Sequence, residues 1–526
     1  MNHHTFRLLS LTILLLSGVP HPLQAIALVA NRISLQDDTA KKEVEIINAD
    51  VLHFSEINGQ KHTILTGNVA LKQDEVLMYC DSADLNKEEN SMEAWGRVHI
   101  QNDTIDAYSD HLIYKSGERL MTLQRRASIS DGKAKIVSDE LFYNTRDKLA
   151  YYNNWGKVYR EKSVIVSRVA TYFTKQSEVY FLDQVTITDP EYRLTSDSLM
   201  YNTSTDICTF FRNTTIFNKK SRINCNTGSF DTKNNQAVFG KDTRLFDDKQ
   251  VLYADSLFFD RKKNYGRAMV HFHWIDSTMD FELFGRDGEY FEKRDQMKAW
   301  NNAYLVYKME KDSLFLTGDT LRTQTESETD STRVFFAYHH MRMYMRNMQG
   351  ACDSLKYSFR DSTFNMYYSP ILWADTTQMT ADTILLTVKN KKADHLSLLT
   401  SGFVIAPSGK KFFDQIKGKN IYGYFVNNEL DRLFVDGNAE SLYFGKDERG
   451  KYQGVNKSLS VTMWLYFRNR KITKINFIQK PEAVFTPMKL TAPDDYQLKN
   501  FNWQITRRPQ SREEIMGIQG TRKEKL

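Results

Sequence analysis

Asp110-His111-Leu112-Ile113-Tyr114 places an acid, an aliphatic residue and an aromatic residue at alternate positions. The same order recurs at Asp139–Tyr143, Asp197–Tyr201 and Asp255–Phe259, with variants at Arg168–Tyr172 and Asn226–Phe230. Equivalent positions from Asp81 to Asp255 lie 29 residues apart, six times in succession. A fixed period of about 20–50 residues is typical of stacked repeat proteins. We therefore expect a repeat architecture.

Two apolar columns accompany the acid in each repeat. The residue three before the acid is apolar, as in Met78, and the residue directly before it is small, as in Cys80 and Ser109. A second apolar column keeps the 29-residue step through Leu71, Ile100, Ile129, Val158, Ile187, Ile216 and Leu245. Apolar and polar residues alternate around both columns, which is the pattern of a β-strand. The sequence thus predicts an all-β protein with two strands in each repeat.

The faces on which these residues lie indicate a bend at the acid. Positions three and one before the acid lie on one face of a strand, whereas positions two and four after it lie on the other. Both sets are apolar or small. Either both faces of the strand are covered, or a corner at the acid turns the residues after it to the same face as the residues before it. At a corner the acid can accept hydrogen bonds from nearby backbone N–H groups. A metal-binding or catalytic use of the acids is the alternative.

The composition favours a large folded protein without a strong charge signature. The chain has 526 residues, of which 41% are hydrophobic and 13% aromatic, so it can bury several cores or one elongated core. Its formal net charge of +6 is small for this length. This charge does not point to nucleic acid as a partner, although it is compatible with an anionic ligand.

Residues 1–27 have the features of a secretory signal peptide. A polar start containing Arg7 precedes the apolar stretch Leu8–Val19, which is too short to span a bilayer, and Ala25-Ile26-Ala27 provides small residues for cleavage. We therefore expect the protein in the periplasm, where partners can associate it with the inner or outer membrane. An uncleaved anchor is the alternative interpretation of this segment.

The chain carries no motif typical of an enzyme. It has no nucleophile elbow, glycine-rich phosphate loop or zinc signature, and periodic acids do not single out a catalytic pair. The pairs His271/His273 and His339/His340 lack companions at metal-ligand spacing. The sequence therefore predicts no enzymatic activity, no cofactor and no metal.

The four cysteines fit the same repeat. Cys80, Cys225 and Cys352 stand in the small-residue column, where other repeats have Ser, Ala or Gly. Cys80 and Cys225 are five repeats apart, roughly 50 Å along a stacked axis, whereas a disulfide requires Cα atoms within about 7 Å. We interpret the cysteines as small packing residues, with a Cys208–Cys225 bridge as the alternative.

The order of these phrases resembles that of the OstA/LptA family, the periplasmic bridge proteins of lipopolysaccharide transport. The resemblance is carried by Leu65-Thr66-Gly67-Asn68-Val69-Ala70-Leu71, by Trp95-Gly96-Arg97-Val98-His99-Ile100 and by the acid phrases that alternate with them. It is best over residues 45–270 and weaker to about residue 390. The chain is most similar to the long OstA-like proteins of Bacteroidota, whose C-terminal segment resembles Phe413–Lys419 through Gly437–Ser441.

The resemblance implies an elongated β-jelly roll, V-shaped in section and mostly antiparallel, whose apolar interior shields acyl chains. It implies a non-enzymatic protein that binds lipopolysaccharide or its lipid A part. The implied partners are other jelly-roll transport proteins that join by edge-strand pairing, including an outer-membrane barrel partner, and not nucleic acid. The alternative is a structural or surface-adhesive β-solenoid without lipid transport.

The ligand-binding candidates are aliphatic side chains that we expect to face the interior. They are Leu71, Ile100, Leu112, Ile129, Leu141, Val158, Ile187, Leu199, Ile216, Leu245 and Leu257. The aromatic columns either fill this interior as core or line a groove that stays open for apolar ligand. Residues alone leave both interpretations standing.

The chain divides into six predicted parts. They are a signal peptide (1–27), OstA-like repeats (28–322), a polar loop or hinge (323–332), divergent repeats (333–390), a modified terminal β region (391–490) and a basic mobile tail (491–526). The tail is either solvated or in contact with an anionic membrane surface.

Overall fold

The structure is a computed structural model that describes residues 44–517, except residues 104, 293–294, 310–311, 328–331, 428 and 469–470. Within these residues the chain forms a sheet of 40 strands whose pairings are antiparallel, and three single turns of helix near its end. The predicted all-β, repeat-built fold is confirmed. The predicted signal peptide, residues 1–27, lies outside the described residues. No helix in the described part of the chain has the length and apolarity to cross a membrane.

The strands follow one another as a meander. The first strands are β1 (Glu45–Asn48), β2 (Val51–Ile57), β3 (Gln60–Gln73), β4 (Val76–Asn86), β5 (Ser91–Gln101), β6 (Asp106–Lys115), β7 (Leu120–Ser130), β8 (Lys135–Asn144), β9 (Leu149–Tyr152), β10 (Gly156–Arg160), β11 (Ser163–Ser167), β12 (Val169–Phe173), β13 (Glu178–Thr188) and β14 (Arg193–Asn202). The middle strands are β15 (Ile207–Phe210), β16 (Thr214–Phe217), β17 (Ser221–Cys225), β18 (Gly228–Asp231), β19 (Gln236–Phe239), β20 (Thr243–Asp247), β21 (Gln250–Asp260), β22 (Tyr265–Asp276), β23 (Phe281–Gly285), β24 (Asp287–Phe291), β25 (Gln296–Trp300), β26 (Tyr304–Lys308), β27 (Ser313–Thr317) and β28 (Thr320–Thr325). The last are β29 (Arg333–Met345), β30 (Met348–Ser358), β31 (Thr363–Tyr367), β32 (Ile371–Ala374), β33 (Thr377–Thr380), β34 (Thr383–Lys389), β35 (Lys392–Ser408), β36 (Phe412–Val426), β37 (Glu429–Lys446), β38 (Tyr452–Arg468), β39 (Lys471–Ile478) and β40 (Glu482–Pro487). Two 3-10 turns (Pro493–Tyr496 and Ile505–Arg507) and one α-helical turn, α1 (Arg512–Ile515), follow.

We call each passage of the chain from one margin of the sheet to the other a crossing. Each crossing bends in its middle, so that the strands form two leaves joined along a corner. Sixteen strands, such as β4, pass through the corner, whereas 24 shorter strands end there in 12 pairs, such as β9 with β10, which gives 28 crossings. Leaf 1 contains β1, β10, β11, β16, β17, β20, β23, β26, β27, β32, β33 and β40, and leaf 2 contains β2, β9, β12, β15, β18, β19, β24, β25, β28, β31, β34 and β39, each with one half of the long strands. At about 4.8 Å per strand, 28 crossings extend for about 130 Å.

The acids of the repeat lie at this corner. Asp81 stands opposite the two-residue bulge Gly67-Asn68, because Thr66 pairs with Ser82 and Val69 pairs with Cys80. Cys80 before the corner and Ala83 after it are both buried in one core. The predicted reversal of faces at the acid is therefore confirmed, and the two leaves enclose one apolar interior.

Equivalent bulges, such as Gly96-Arg97 and Arg125-Arg126, follow in the next strands, and their side chains bind the corner carboxylates. The Nε and Nη2 atoms of Arg97 donate to Oδ1 of Asp81 at 2.9 and 2.6 Å, and the guanidinium of Arg126 holds Asp110 in the same way. The pairs Asn68–Asp50, His271–Asp255 and His340–Asp319 repeat this contact. At these corners the donors are side chains, not the backbone N–H groups that the sequence suggested. Because the pairs are exposed to solvent, each contributes little to stability.

Glycine at the bulge is required by both backbone conformation and space. Gly96 has φ +74°, and a Cβ on it would overlap the carboxylate of Asp81. Gly132, in a hairpin turn, has φ +80° but nothing within 4 Å of a Cβ. We expect Gly132→Ala to lower the free energy of unfolding by about 1 kcal/mol, the cost of the left-handed backbone, and Gly96→Ala by about 2–3 kcal/mol. Urea unfolding of both variants measures the difference, and equal losses would show that the overlap relaxes freely.

After β40 the chain turns back across the outer face of leaf 1. We call residues 488–517 the C-terminal strap. Its residues Tyr496, Leu498, Phe501 and Trp503 pack on the outer-face residues Phe403, Ile405, Leu442 and Phe444, which form a second core separate from the interior one. The sequence predicts a mobile tail from residue 491, whereas residues 491–517 contact leaf 1 in this structure.

Three buried glutamines of leaf 1 hold the strap. The side-chain amide of Gln415 donates to the carbonyl of Tyr496 and accepts the N–H of Leu498, both at 2.8 Å. Gln378 binds the carbonyl of Asn502 and the N–H of Gln504 at the same distances. Gln349 accepts from the guanidinium of Arg508. Gln415 and Gln378 thus bind the backbone of the strap, and Gln349 binds the guanidinium of Arg508. Each glutamine does so at a different position along the stack.

Asp414, beside this contact, makes the C-terminal strands sensitive to pH. Burial raises the pKa of Asp414 to about 6, although the N–H of Phe444 donates to its carboxylate at 2.9 Å. The folded pKa exceeds the ordinary value of 3.8, so the folded state holds more protons between these values and loses stability as pH rises through about 6.

We expect Asp414→Asn to abolish this pH dependence and to stabilise the C-terminal strands at pH 7.5 by up to about 3 kcal/mol. Hydrogen exchange of β36 and β37 at pH 4.5 and 7.5 measures both effects. Asp431→Asn, at a half-exposed position of β37, is the control and should leave the pH profile unchanged. A profile that persists in Asp414→Asn would contradict the assignment.

Candidate functional site

A continuous line of inward-facing side chains crosses leaf 1. Leu71 pairs directly with Met78, and Met78 pairs with Ile100. The series of directly opposed residues continues through Ile129, Val158, Ile187, Ile216, Leu245 and Leu252 to Trp274. Neighbouring strands lie about 4.8 Å apart, so these side chains form an apolar stripe without a polar gap.

Leaf 2 supplies the opposite wall of the interior. Leu112 and Leu141 both oppose Leu123, Leu199 opposes Phe210, and Leu257 opposes Phe239. Nine of the eleven predicted ligand-binding residues are buried in the interior core, and the other two, Ile216 and Leu245, are half-buried against it. The structure therefore brings all eleven to one interior, while their contact with a ligand stays a prediction.

The interior is not equally open along its length. Near Ile100 and Ile129 the free space is a cavity of about 40 Å³, and near Leu71 it is about 30 Å³. Between the crossings that carry Leu245 and Met297 it widens to about 670 Å³. That volume is within the range of about 300–1,000 Å³ typical of ligand sites. The geometry thus offers one roomy apolar site within a largely filled core.

Side chains bridge the free margins of the two leaves, which form the mouth opposite the corner. Arg160 of leaf 1 donates to Asp206 in a leaf 2 turn and to the carbonyl of Thr203. Tyr172 of leaf 2 donates to Asp131 in a leaf 1 turn. Burial and the hydrogen bond to Asp131 raise the pKa of Tyr172 to about 12. The phenol therefore remains a donor throughout the neutral range and keeps this part of the mouth shut.

Further bridges flank the wide section. Glu191 of leaf 1 lies 3.8 Å from the guanidinium of Arg261 in leaf 2. Beyond the wide section, the ammonium of Lys391 donates to Asp280 at 2.7 Å. Ion pairs thus join the two margins of the mouth before and after its widest part.

The titratable groups singled out in the sequence lie on outer surfaces. His271 and His340 contact corner acids, and His273 contacts Glu282 at 2.8 Å on the outer face of leaf 1. In the described residues there is no group of three or more His, Cys, Asp or Glu side chains placed to hold a metal ion. The periodic acids therefore act in this structure as corner residues.

The cysteines are separate thiols. All four are buried and unpaired with one another. Cys208 lies in leaf 2 opposite Phe230, whereas Cys225 lies in leaf 1 opposite Thr214. Burial raises the pKa of Cys225 to about 12, so its thiol is unreactive at neutral pH. The interpretation as packing residues holds, and the alternative Cys208–Cys225 bridge does not form.

Sequence reasoning did not identify the lysines at the margins of the wide section or the glutamines under the strap. Lys219, Lys220 and Lys262 lie in hairpin turns, where lysine is ordinary. Gln349 and Gln378 are one 29-residue step apart, whereas Gln415 lies 37 residues after Gln378 and breaks the step. A polar residue buried within an otherwise alternating strand was the signal available for the glutamines.

Comparison with known proteins gives a family match over part of the chain and several structural neighbours. Residues 41–197 match the family model described as "OstA-like protein". Among solved structures, LptH from Pseudomonas aeruginosa, described as the LptA-homologous periplasmic component of the conserved lipopolysaccharide transport device, is similar at 11% identity, over 19% of this chain and 76% of that one, with a TM-score of 0.18. No curated protein matches the chain significantly. Residues 41–197 are thus similar to the OstA-like family, and over these residues the resemblance predicted from the sequence is confirmed.

Proposed function

We propose that this protein is a periplasmic carrier of lipopolysaccharide, which shields acyl chains in its apolar interior during transfer toward the outer membrane. The observation that carries the proposal is the unbroken apolar stripe from Leu71 to Trp274. Exposing one CH₂ group to water costs about 0.8 kcal/mol, so a chain of ~14 carbons costs roughly 11 kcal/mol. A continuous apolar path lowers this cost at every step of the transfer.

The end of the stack supports a role in a chain of carriers. Within the described residues, the side chains of β1 and β2 that would face the interior are exposed, and Phe54 is 74% exposed. Unpaired edge strands readily add a further strand by backbone hydrogen bonds. We propose that other jelly-roll transport proteins, including an outer-membrane barrel partner, join at such edges and continue the apolar path.

Mass spectrometry of lipids that accompany the full-length protein purified from its native envelope tests the proposal. We expect lipid A-containing molecules in roughly stoichiometric amount. Protein that is reproducibly free of lipid, from an envelope in which lipopolysaccharide is abundant, would contradict it.

A structural or surface-adhesive role is the second candidate. It is favoured by the small cavities of about 30–40 Å³ in the N-terminal half, which leave little room for acyl chains in the closed state. This role predicts cleavage by protease added to intact cells, whereas a periplasmic carrier is protected until the outer membrane is opened.

A further inference from the structure

An aromatic cluster fills the interior directly after the wide section. The aromatic plug consists of Phe281, Tyr307, Phe335, Tyr357, Phe359 and Phe364. The free space between these rings and their aliphatic neighbours is about 20 Å³, far below the ~300 Å³ at which ligand sites begin. Tyr357 packs on Phe364 with centroids 4.2 Å apart and on Phe359 at 4.8 Å. The apolar stripe therefore does not offer a free path beyond this point.

The plug ties the two leaves together at the mouth. Phe281 of leaf 1 contacts Phe359 in a leaf 2 turn at a centroid distance of 6.2 Å. Tyr307 of leaf 1 lies 6.0 Å from Tyr357 of leaf 2. Together with the Lys391–Asp280 ion pair, these contacts close the groove on the C-terminal side of the wide section.

The wide section opens sideways between two turns. Its floor is apolar and includes Leu252, Leu257 and Trp274, and its margins are the leaf 1 turn at Asn218–Ser221 and the leaf 2 turn at Arg261–Asn264. We call this section the lateral opening. Within the described residues, this opening gives a molecule that lies against the plug a lateral way to the solvent.

Exposed cations stand on both margins of the lateral opening. Lys219 and Lys220 lie on the leaf 1 margin and Lys262 on the leaf 2 margin. Within the part of the chain that the structure describes, none of their ammonium groups has a carboxylate within 4 Å. Lys262 donates to the backbone carbonyl of Lys233 at 3.0 Å. Of the acids that line the opening, Glu289 accepts from the hydroxyl of Tyr265 at 2.8 Å and Glu191 faces Arg261, while Asp247 interacts electrostatically with Lys220. An anion between the margins would meet lysines from two sides.

We infer that the lateral opening is a site where an amphiphile with a phosphate-bearing headgroup passes into or out of the protein, and that the aromatic plug ends the lipid path there. Acyl chains occupy the apolar floor, and Lys219, Lys220 and Lys262 bind the headgroup phosphate through charge-assisted hydrogen bonds. The inference rests on the proposed function, and it adds a position. Lipid reaches this opening from the N-terminal edge only if the filled N-terminal interior, with cavities of about 30–40 Å³, widens, whereas the aromatic plug stays closed.

Charge reversal at the margins tests the site. We expect Lys219→Glu/Lys220→Glu/Lys262→Glu to weaken binding of bisphosphorylated lipid A in detergent micelles at least about tenfold, with little effect on dephosphorylated lipid A. The matched control reverses three exposed turn lysines elsewhere, Lys87→Glu/Lys162→Glu/Lys175→Glu. Equal losses in both triple variants would overturn the site. The same lysine dependence with phosphatidylglycerol micelles would support the site and assign a phospholipid as its source of phosphate.

Photo-crosslinking tests the plug. We expect benzoylphenylalanine in place of Phe259, which lines the lateral opening, to label bound lipid, and the same residue in place of Phe425, inside the core beyond the plug, to remain unlabelled. Phe359→Ala should make position 425 label as well. Equal labelling at 259 and 425 in the parent chain would overturn the inference alone, whereas no labelling and no lipid binding by any variant would contradict the proposed function itself.

Discussion

Ile187→Asp is expected to unfold the crossings around β13, whereas Leu245→Asp is expected to leave the fold in place and to abolish lipid retention. Both residues belong to the same column of the repeat, two periods apart. Ile187 is 4% exposed and lies between Ile165 and Leu194 of the adjoining strands. A carboxylate at that position would be neither hydrated nor paired with a cation. We therefore expect the free energy of unfolding to fall by about 4 kcal/mol or more.

Leu245 differs because it faces the lateral opening. Its side chain is half-buried and lines the cavity of about 670 Å³. Because a carboxylate can remain hydrated at that position, the free energy of unfolding should fall by only about 1 kcal/mol. An acyl chain in the cavity would have to cover the charge, and we expect affinity for lipid A to fall at least about a hundredfold.

Hydrogen exchange of β13 and β20 together with lipid binding separates the two outcomes. Local readouts are needed because a stacked protein can lose a few crossings without unfolding as a whole. Leu245→Met keeps the volume and the apolar character of the side chain and serves as the control. Its free energy of unfolding should change by less than about 1.5 kcal/mol. If Leu245→Asp retained lipid as well as the parent chain, the lateral opening would not be part of the lipid path.

The period made the corner predictable. Cys80 and Ala83 lie on opposite faces of an ideal strand yet are both small and both expected inside, and only a bulge between them satisfies both. The bulge residues themselves could not be predicted, because the pair opposite the acid varies from Gly67-Asn68 to Arg125-Arg126. What these pairs share is a left-handed backbone, which the period of apolar residues does not report.

The lateral opening could not be predicted for a different reason. The interior positions at Ile129 and Leu245 are equivalent in the repeat, but one lies in a closed core and the other beside a wide cavity. The wide cavity lies between two contacts that join crossings far apart in sequence, Glu191 with Arg261 and Asp280 with Lys391. Such long-range contacts leave no periodic signal.

Removing the C-terminal strap is expected to expose the second core and to destabilise β35–β38. Truncation after Pro487 uncovers the outer faces of Phe403, Ile405 and Phe444, which Leu498 and Trp503 cover. Covering a large apolar side chain contributes about 1.5–3 kcal/mol. Several are uncovered together, so we expect more than about 4 kcal/mol of lost protection in hydrogen exchange of β36 and β37, and a tendency to aggregate through the bared face.

Gln415→Leu separates the role of the glutamines from that of the apolar cover. In the full chain this change leaves the carbonyl of Tyr496 and the N–H of Leu498 without their partner. Each buried group without a hydrogen-bond partner costs about 1–3 kcal/mol. We therefore expect Gln415→Leu to lower the free energy of unfolding of these strands by about 2–4 kcal/mol. In the truncated chain those groups are gone, and the leucine should be neutral or slightly stabilising.

The coupling between the two changes decides whether the strap is held specifically. If Gln415 acts through the strap, the double change must cost less than the two single losses combined by about 2–4 kcal/mol. Gln479→Leu, at an exposed glutamine, provides the matched control and should show no coupling. Additive effects for Gln415→Leu would mean that the amide stabilises leaf 1 by itself, and the strap would then be held by apolar contact alone.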